Sequence, residues 1–412
     1  MPDRGRPRQH LTTELERLKS NARDRRRDKS FSLSARWNDS HDRVDYLYRS
    51  HELIASRSDV DEILGALARV GEAPPTSTHD GPVGLTILDL GDRDAAQVAD
   101  SIAEVIGDDV ATLNHVLDVQ SGHYLMCPAT EALPWYGPVE TLGEPIGQGK
   151  ARVAVIDTGF SPKIASESGF DRFSAVSYDN EIDDEVYFPD STKIRPYGGH
   201  GTAATAQLLA ISGADSVTVR VADCLVGGAV DEITIVEDLE RIVNSGVDII
   251  SIQAGLYSRR GTSPKAFNAF RRQVLSKHPD VVIVAAAGNN GSDYPFWPAA
   301  YDWTTAVGAL TYGGDARAGW TNYGYWVDVY ASGENRVVPY PNGTYEYLTD
   351  TTAEFTQGHA LWSGTSFAAP VVAGMIARRM IERNISASQA RDIVLDEAAT
   401  NALPTTGPRV LG

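Results

Sequence analysis

From residue 152 onward, short and nearly continuous apolar runs alternate with stretches in which apolar residues recur at helical spacing. The runs at 152–156, 217–222, 247–252, 281–286, 304–309 and 326–330 predict strands. Their lack of polar alternation suits strands covered on both faces of a parallel sheet. Helices are predicted at 201–211, 231–245, 264–276, 367–383 and 387–398. Such alternation predicts an α/β fold: an open, mostly parallel sheet with helices on both faces. Function in sheets of this kind gathers at the carboxyl ends of the strands.

The first third is patterned differently. Val60, Ile63, Leu64 and Leu67 fall on one helical face, as do Ala95, Val98, Ile102 and Val105 within 94–106. Strands fit 84–90, 112–119 and 123–127, so 51–127 reads as a small α+β domain. Residues 1–50 read as a polar, Arg-rich arm, with Glu14, Glu16, Asp24 and Asp28 breaking up the charge around Arg25-Arg26-Arg27. The Pro- and Gly-rich stretch 128–149 reads as a linker, 150–400 as the main domain and 401–412 as a tail.

Charge narrows the choice of partners. With 55 acidic and 37 basic residues among 412, the formal net charge is −18. Such a chain is not built to hold nucleic acid or an anionic membrane. The apolar run 281–287 is too short to span a bilayer, and the N-terminus lacks the apolar core of a secretory signal. Cys127 and Cys224 are the only cysteines and have no metal-ligand spacing, which fits a reducing compartment. The expected location is cytoplasmic.

Four short segments carry candidate chemistry. Asp157 ends the run Val153-Ala-Val-Ile-Asp157-Thr-Gly159. Such a carboxylate is common in α/β proteins and alone says little. His200 lies in Gly198-Gly199-His200-Gly201-Thr202 at the start of an Ala-rich helix, where glycines leave room for a second group; a capping role is the alternative. Ser366 lies in Ser363-Gly364-Thr365-Ser366-Phe367-Ala368-Ala369-Pro370, at an expected helix start with Pro370 in the first turn. There, backbone N–H groups favour an anion, although simple N-capping would use the same residues. Asn289, in Ala287-Gly288-Asn289-Asn290-Gly291, could present an amide donor to an oxyanion. Together, Asp, His and Ser stand in the order found in subtilisin, each in a turn of small residues.

The four segments resemble the motifs of the subtilisin-like serine proteases, the subtilases. Trp297-Pro298-Ala299-Ala300-Tyr301 and Asn322-Tyr323-Gly324 add weaker similarity, and the resemblance spans about 150–399. It implies a serine endopeptidase with Asp157, His200 and Ser366 as catalytic triad and Asn289 in the oxyanion hole. It also implies that substrate binds along Gln253-Ala254-Gly255, with Ala287 and Gly288 beside it. The chain departs from the family at Gln253-Ala254-Gly255, where Ser-Leu-Gly is usual, and at Ala203–Ala206 after the histidine segment. Recognition through backbone groups survives the first change, but specificity does not transfer.

Other features rank lower. His359 reads as structural. The run Asp179 to Asp190 holds six carboxylates in twelve residues. It lacks an EF-hand pattern and reads as a solvated loop, with structural Ca²⁺ the alternative. No cofactor or catalytic metal is expected. The partners expected are a protein or peptide substrate and a regulatory protein acting through the N-terminal region. Two competing functions remain: a pseudoprotease or adaptor that binds peptides without turnover, and an esterase, disfavoured because Ser366 lacks a Gly-x-Ser-x-Gly elbow. The α+β domain reads either as a cleaved propeptide or as a retained regulatory domain that restrains the enzyme.

Overall fold

The computed structural model describes residues 16, 18, 32–40, 43–118, 129–139, 150–170, 173, 176–179, 186–189, 191–213, 216–347, 349 and 351–410. The chain divides into two compact units. One comprises Met1–Leu117, Ala229–Asn244 and Leu256–His278; the other comprises Asp118–Gly228, Ser245–Gly255 and Pro279–Gly412.

The first unit is α+β. Its sheet has the order Ala229–Asp231, Ala111–Asp118, Val44–Ser56, Leu85–Asp89, Ser77–Asp80, with Leu33–Trp37 also paired to Val44–Ser56. The helices Val60–Val70 and Ala95–Ile106 contribute Ile63, Ala66, Leu67, Val98 and Ile102 to a core with Leu53, Leu88 and Leu113. Asp94 caps the second helix by accepting from the Gln97 N–H at 3.0 Å, and Gly71 closes the first in a left-handed conformation.

Two domain boundaries expected from composition change. A cut at residue 50 falls inside the strand Val44–Ser56, because Tyr46, Leu47 and Tyr48 are core residues set among polar ones. Residues 229–244 and 256–278 join the first unit instead of the main domain. The reason is a buried polar cluster. Glu232 is fully buried and accepts from the His115 N–H at 3.2 Å, His115 Nδ1 at 3.1 Å and the Ala266 N–H at 3.2 Å. His115 Nε2 accepts from the Arg259 N–H at 3.0 Å, so its proton sits on Nδ1, facing Glu232. Arg259 pairs with Asp100 and, at 3.0 Å, with Asp108.

The second unit contains the expected parallel sheet. Its order is Val329–Ser332, Thr305–Leu310, Val282–Ala286, Ile249–Ile252, Ala151–Asp157, Val217–Asp223, Val176–Tyr178, and every neighbouring pair is parallel. Val153, Val155, Val219, Val221, Val284 and Val307 share one core with the helices His200–Ser212, Thr365–Arg383 and Ala387–Thr400. Ala154, Ile156, Ile250, Ile252, Ile283 and Ala306, pointing to the opposite face, are also buried, which explains the unbroken apolar runs. Each Val or Ile among them contributes about 1.5–3 kcal/mol by leaving water.

Smaller differences from expectation have local causes. The last strand is Val329–Ser332 rather than 326–330, because the Val327 N–H closes a turn on the Gly324 carbonyl at 3.2 Å. The linker contains a strand, Leu133–Pro134, in a three-stranded sheet with His359–Trp362 and Arg336–Pro339. The tail is tied down too: the Tyr330 N–H donates to Pro408 and the Val410 N–H to Tyr330, both at 2.9 Å. Pro370 is the sixth residue of its helix, not part of the first turn. Predicted strand 123–127, Cys127 and most of the acidic run 179–190 lie outside the described residues. Among the described residues, no helix is long and apolar enough to cross a membrane.

Candidate active site

Asp157 ends the strand Ala151–Asp157, which lies between Ile249–Ile252 and Val217–Asp223. Its carboxylate accepts from the Thr158 N–H at 2.6 Å and from His200 Nδ1 at 2.8 and 2.9 Å, one distance to each oxygen. A carboxylate so placed holds the ring proton on Nδ1 and leaves the lone pair on Nε2. His200 opens its helix after Gly199, which takes a left-handed conformation. Gly201 is required sterically: a Cβ there would sit well inside contact with the Gly159 carbonyl oxygen and 3.2 Å from Asp157 Cβ. The glycine thus lets the histidine helix abut the Asp157 turn.

Ser366 is the second residue of the helix Thr365–Arg383. Its backbone N–H belongs to the first turn of that helix. The Ser366 hydroxyl donates to the Gln253 carbonyl at 3.3 Å, and His200 Nε2 has no hydrogen-bond partner. Asp157, His200 and Ser366 are all 0% exposed. An aromatic wall backs the imidazole. Trp362 meets it edge-on at 5.5 Å, Phe367 lies at 5.5 Å, and Tyr340 meets Trp362 at 5.3 Å. Full burial raises the Tyr340 phenol well above its ordinary range, so it stays neutral.

Asn289 is fixed from its carbonyl end. Its Oδ1 accepts from both the N–H and the hydroxyl of Thr365 at 2.9 Å, which makes Nδ2 the donor end. Thr365 Oγ1 in turn accepts from the Gly288 N–H at 3.1 Å. Gly288 has φ +95°, and a Cβ there would lie 2.5 Å from Asn322 Nδ2. Asn322 is buried and organises the same turn. Its Nδ2 donates to the Ala287 carbonyl at 2.8 Å, and its Oδ1 accepts from the N–H groups of Asn290 and Ser292 at 3.0 and 3.1 Å.

Gln253, Ala254 and Gly255 follow the strand Ile249–Ile252 directly. The Gln253 side chain is buried and turns inward. With its amide oriented to satisfy both ends, it donates to the Ser251 and Ile156 carbonyls at 2.9 and 3.0 Å. The residue is 0% exposed, so the change from the usual serine is absorbed internally. Asp118 forms an antiparallel bridge with Gly255.

The structure therefore brings together Asp157 and His200, sets Ser366 beside Gln253, and ties Asn289 to the residue preceding Ser366. Sequence reasoning missed Thr365, Asn322 and Trp362 as supports. Thr365 and Asn322 stood inside quoted motifs, but their hydrogen-bonding duty is readable only once the turns are folded. Trp362 carried no signal beyond being a large aromatic near Ser366. His359 is buried in its strand with neither ring nitrogen partnered. Among the described residues, no three His, Cys, Asp or Glu side chains cluster as metal ligands.

Comparison with known proteins agrees with this geometry. The chain is 30% identical over 256 residues to a thermophilic serine proteinase of Bacillus sp. strain AK1, covering 59% of this chain and 56% of that protein. It is 28% identical over 266 residues to subtilisin DY of Bacillus licheniformis, covering 61% of this chain and 84% of that protein. The first of these matches thus spans little more than half of its relative's length. The crystal structure of fervidolysin from Fervidobacterium pennivorans, a keratinolytic enzyme related to subtilisin, shares the fold. Its TM-score is 0.57 at 16% identity, covering 92% of this chain and 61% of that one. The family model described as the subtilase family matches residues 148–410, which include all four motif segments. With well over half of its length matched, this chain belongs to the subtilase family.

Proposed function

We propose that the protein is a serine endopeptidase that cleaves peptide bonds through an acyl-enzyme on Ser366. The observation that carries this reading is the buried Asp157 carboxylate bonded through both oxygens to His200 Nδ1, leaving Nε2 as a base. Rotation of the Ser366 hydroxyl away from Gln253 would direct its proton to Nε2 as Oγ attacks the scissile carbonyl. The tetrahedral oxyanion would be met by Asn289 Nδ2 and the Ser366 N–H, and His200 would return the proton to the leaving amine. Water, deprotonated by the same imidazole, would then release the acyl group. Backbone groups of Gln253, Ala254 and Gly255, with Ala287 and Gly288 nearby, would hold the acyl side of the substrate as an added strand. A fluorophosphonate probe should label Ser366 in wild-type protein cut between Asp118 and Ala129 and leave identically cut Ser366→Ala protein unlabelled.

One observation favours a second reading, in which the cleft binds peptides without turnover. The Ser366 hydroxyl is bonded to Gln253 rather than to His200. Hydrogen bonds of this kind commonly tighten only when substrate is bound, so the endopeptidase remains the proposal. Failure of the probe to label the cut wild-type protein would favour the second reading.

The same proposal includes self-restraint. Asp118 bridges Gly255 on the acyl side of Ser366, and the Ala129 N–H donates to the Ser363 carbonyl at 3.0 Å, three residues before Ser366. The chain is thus tethered on both flanks of a fully buried nucleophile, an arrangement that supports its N-terminal region excluding substrate until it is cut or displaced. A cytoplasmic location, which the low cysteine content supports, belongs to this proposal and is checked by cell fractionation.

A further inference from the structure

We infer that residues 129–134 are a permanent strap on the leaving-group side of the cleft, so that the enzyme prefers substrates with one or two residues beyond the scissile bond. The inference rests on the endopeptidase reading for its substrates but not for its geometry. A peptide lying across Ser366 needs free backbone partners on both sides of the cut. On the leaving-group side these would come from the segment leading to the nucleophile, Ser363-Gly364-Thr365. Its backbone groups are already engaged. The Ser363 carbonyl accepts from Ala129 at 3.0 Å, and the Ser363 N–H donates to Thr130 Oγ1 at 3.2 Å. The Gly364 N–H donates to Gly333 at 2.9 Å, and the Gly364 carbonyl accepts from Phe367 at 3.0 Å. The Thr365 N–H is held by Asn289 at 2.9 Å. No added strand can form there while Ala129 and Thr130 stay in place.

Several contacts of the strap are ones that a transient product peptide would not need. Trp362 Nε1 donates to the Thr130 carbonyl at 2.7 Å, and the Tyr347 hydroxyl donates to the Ala132 carbonyl at 2.9 Å. The Tyr345 hydroxyl donates to Glu131 Oε1 at 3.1 Å. Ala132 is buried in the aromatic core with Tyr340, Phe355 and Trp362. Leu133 and Pro134 pair in register with Leu361 and Ala360. Trp362 thus serves two groups: its edge supports His200 and its N–H holds the strap. Withdrawal of the strap would strand a buried indole N–H and two tyrosine hydroxyls.

The test uses the full chain and a set of peptides with one acyl-side sequence and one, two, four or six residues beyond the scissile bond. A p-nitroanilide of the same acyl sequence serves as reference. Ratios of kcat/KM are independent of the fraction of restrained enzyme. The strap predicts at least a tenfold fall between two and four residues, and Ala132→Arg, which cannot keep its buried site, should abolish that fall when each rate is taken relative to the same protein's anilide turnover. Equal kcat/KM at all four lengths would overturn the inference. Absence of any anilide turnover by the chain cut between Asp118 and Ala129 would instead count against the endopeptidase reading. A second measurement, independent of activity and of that variant's folding, covers that case: hydrogen exchange in Ser366→Ala protein cut at a protease site inserted between Gly122 and His123. Amides of 129–133 remaining at least 100-fold slower than in a free peptide support the strap, and exchange at free-peptide rates refutes it.

Discussion

At the level of single residues, the reacting groups were legible because their neighbours have to be small. Gly201 shows why: any Cβ at this position would strike the Gly159 carbonyl, so a glycine after the histidine is a packing requirement of the Asp157–His200 pair. Gly201→Ala should destabilise the fold by about 1–3 kcal/mol, as overpacking does. By displacing the imidazole it should also lower kcat at least 100-fold. Thermal unfolding and steady-state kinetics check the two parts separately. Asn289→Leu keeps the side chain's size but removes the donor, and a donor aimed at an oxyanion is worth about 3 kcal/mol. The expected result is a fall in kcat of roughly 100- to 1000-fold with little change in KM. A tenfold rise in KM at constant kcat would assign Asn289 to ground-state binding instead. Asn322 and Thr365 were not legible as supports, since hydrogen bonds across 32 or 76 residues leave no local pattern.

At the level of elements, buried parallel strands were the easiest to read. Their apolar runs follow from burial on both faces, and five of the six predicted strands overlap the observed ones closely, with the sixth displaced by a turn. The region 336–362 was not legible. Its short strands Arg336–Pro339, Gly343–Glu346, Thr352–Phe355 and His359–Trp362 mix polar and aromatic residues and gain their order from pairing. The strand Leu133–Pro134 was hidden in the same way among prolines and glycines. The α+β unit owes its membership to a polar cluster that periodicity does not reveal. Glu232→Leu should strand the N–H groups of His115 and Ala266 together with His115 Nδ1. Breaking such a buried charged cluster typically costs about 3–5 kcal/mol. Urea unfolding followed by hydrogen exchange should show the loss first in the strand Ala111–Asp118 and the helix Lys265–Gln273. Unchanged protection there would mean that the apolar core alone holds this unit.

At the level of the whole molecule, the chain carries the proposed catalytic residues and its own tethers on either side of Ser366. Restraint predicts that cutting the chain between Asp118 and Ala129 raises turnover of a small anilide substrate by tenfold or more. Equal specific activity before and after the cut would remove the restraint from the account while leaving the chemistry intact. The claim on which everything else depends is peptide-bond hydrolysis through Ser366. Its most direct test is the release of new amino termini from denatured casein by the cut chain, measured beside an identically prepared Ser366→Ala protein of matched fold. The account predicts steady release by the first and a rate at least 1000-fold lower for the second, in the range that loss of a triad member produces. Undiminished release by the alanine protein would contradict it.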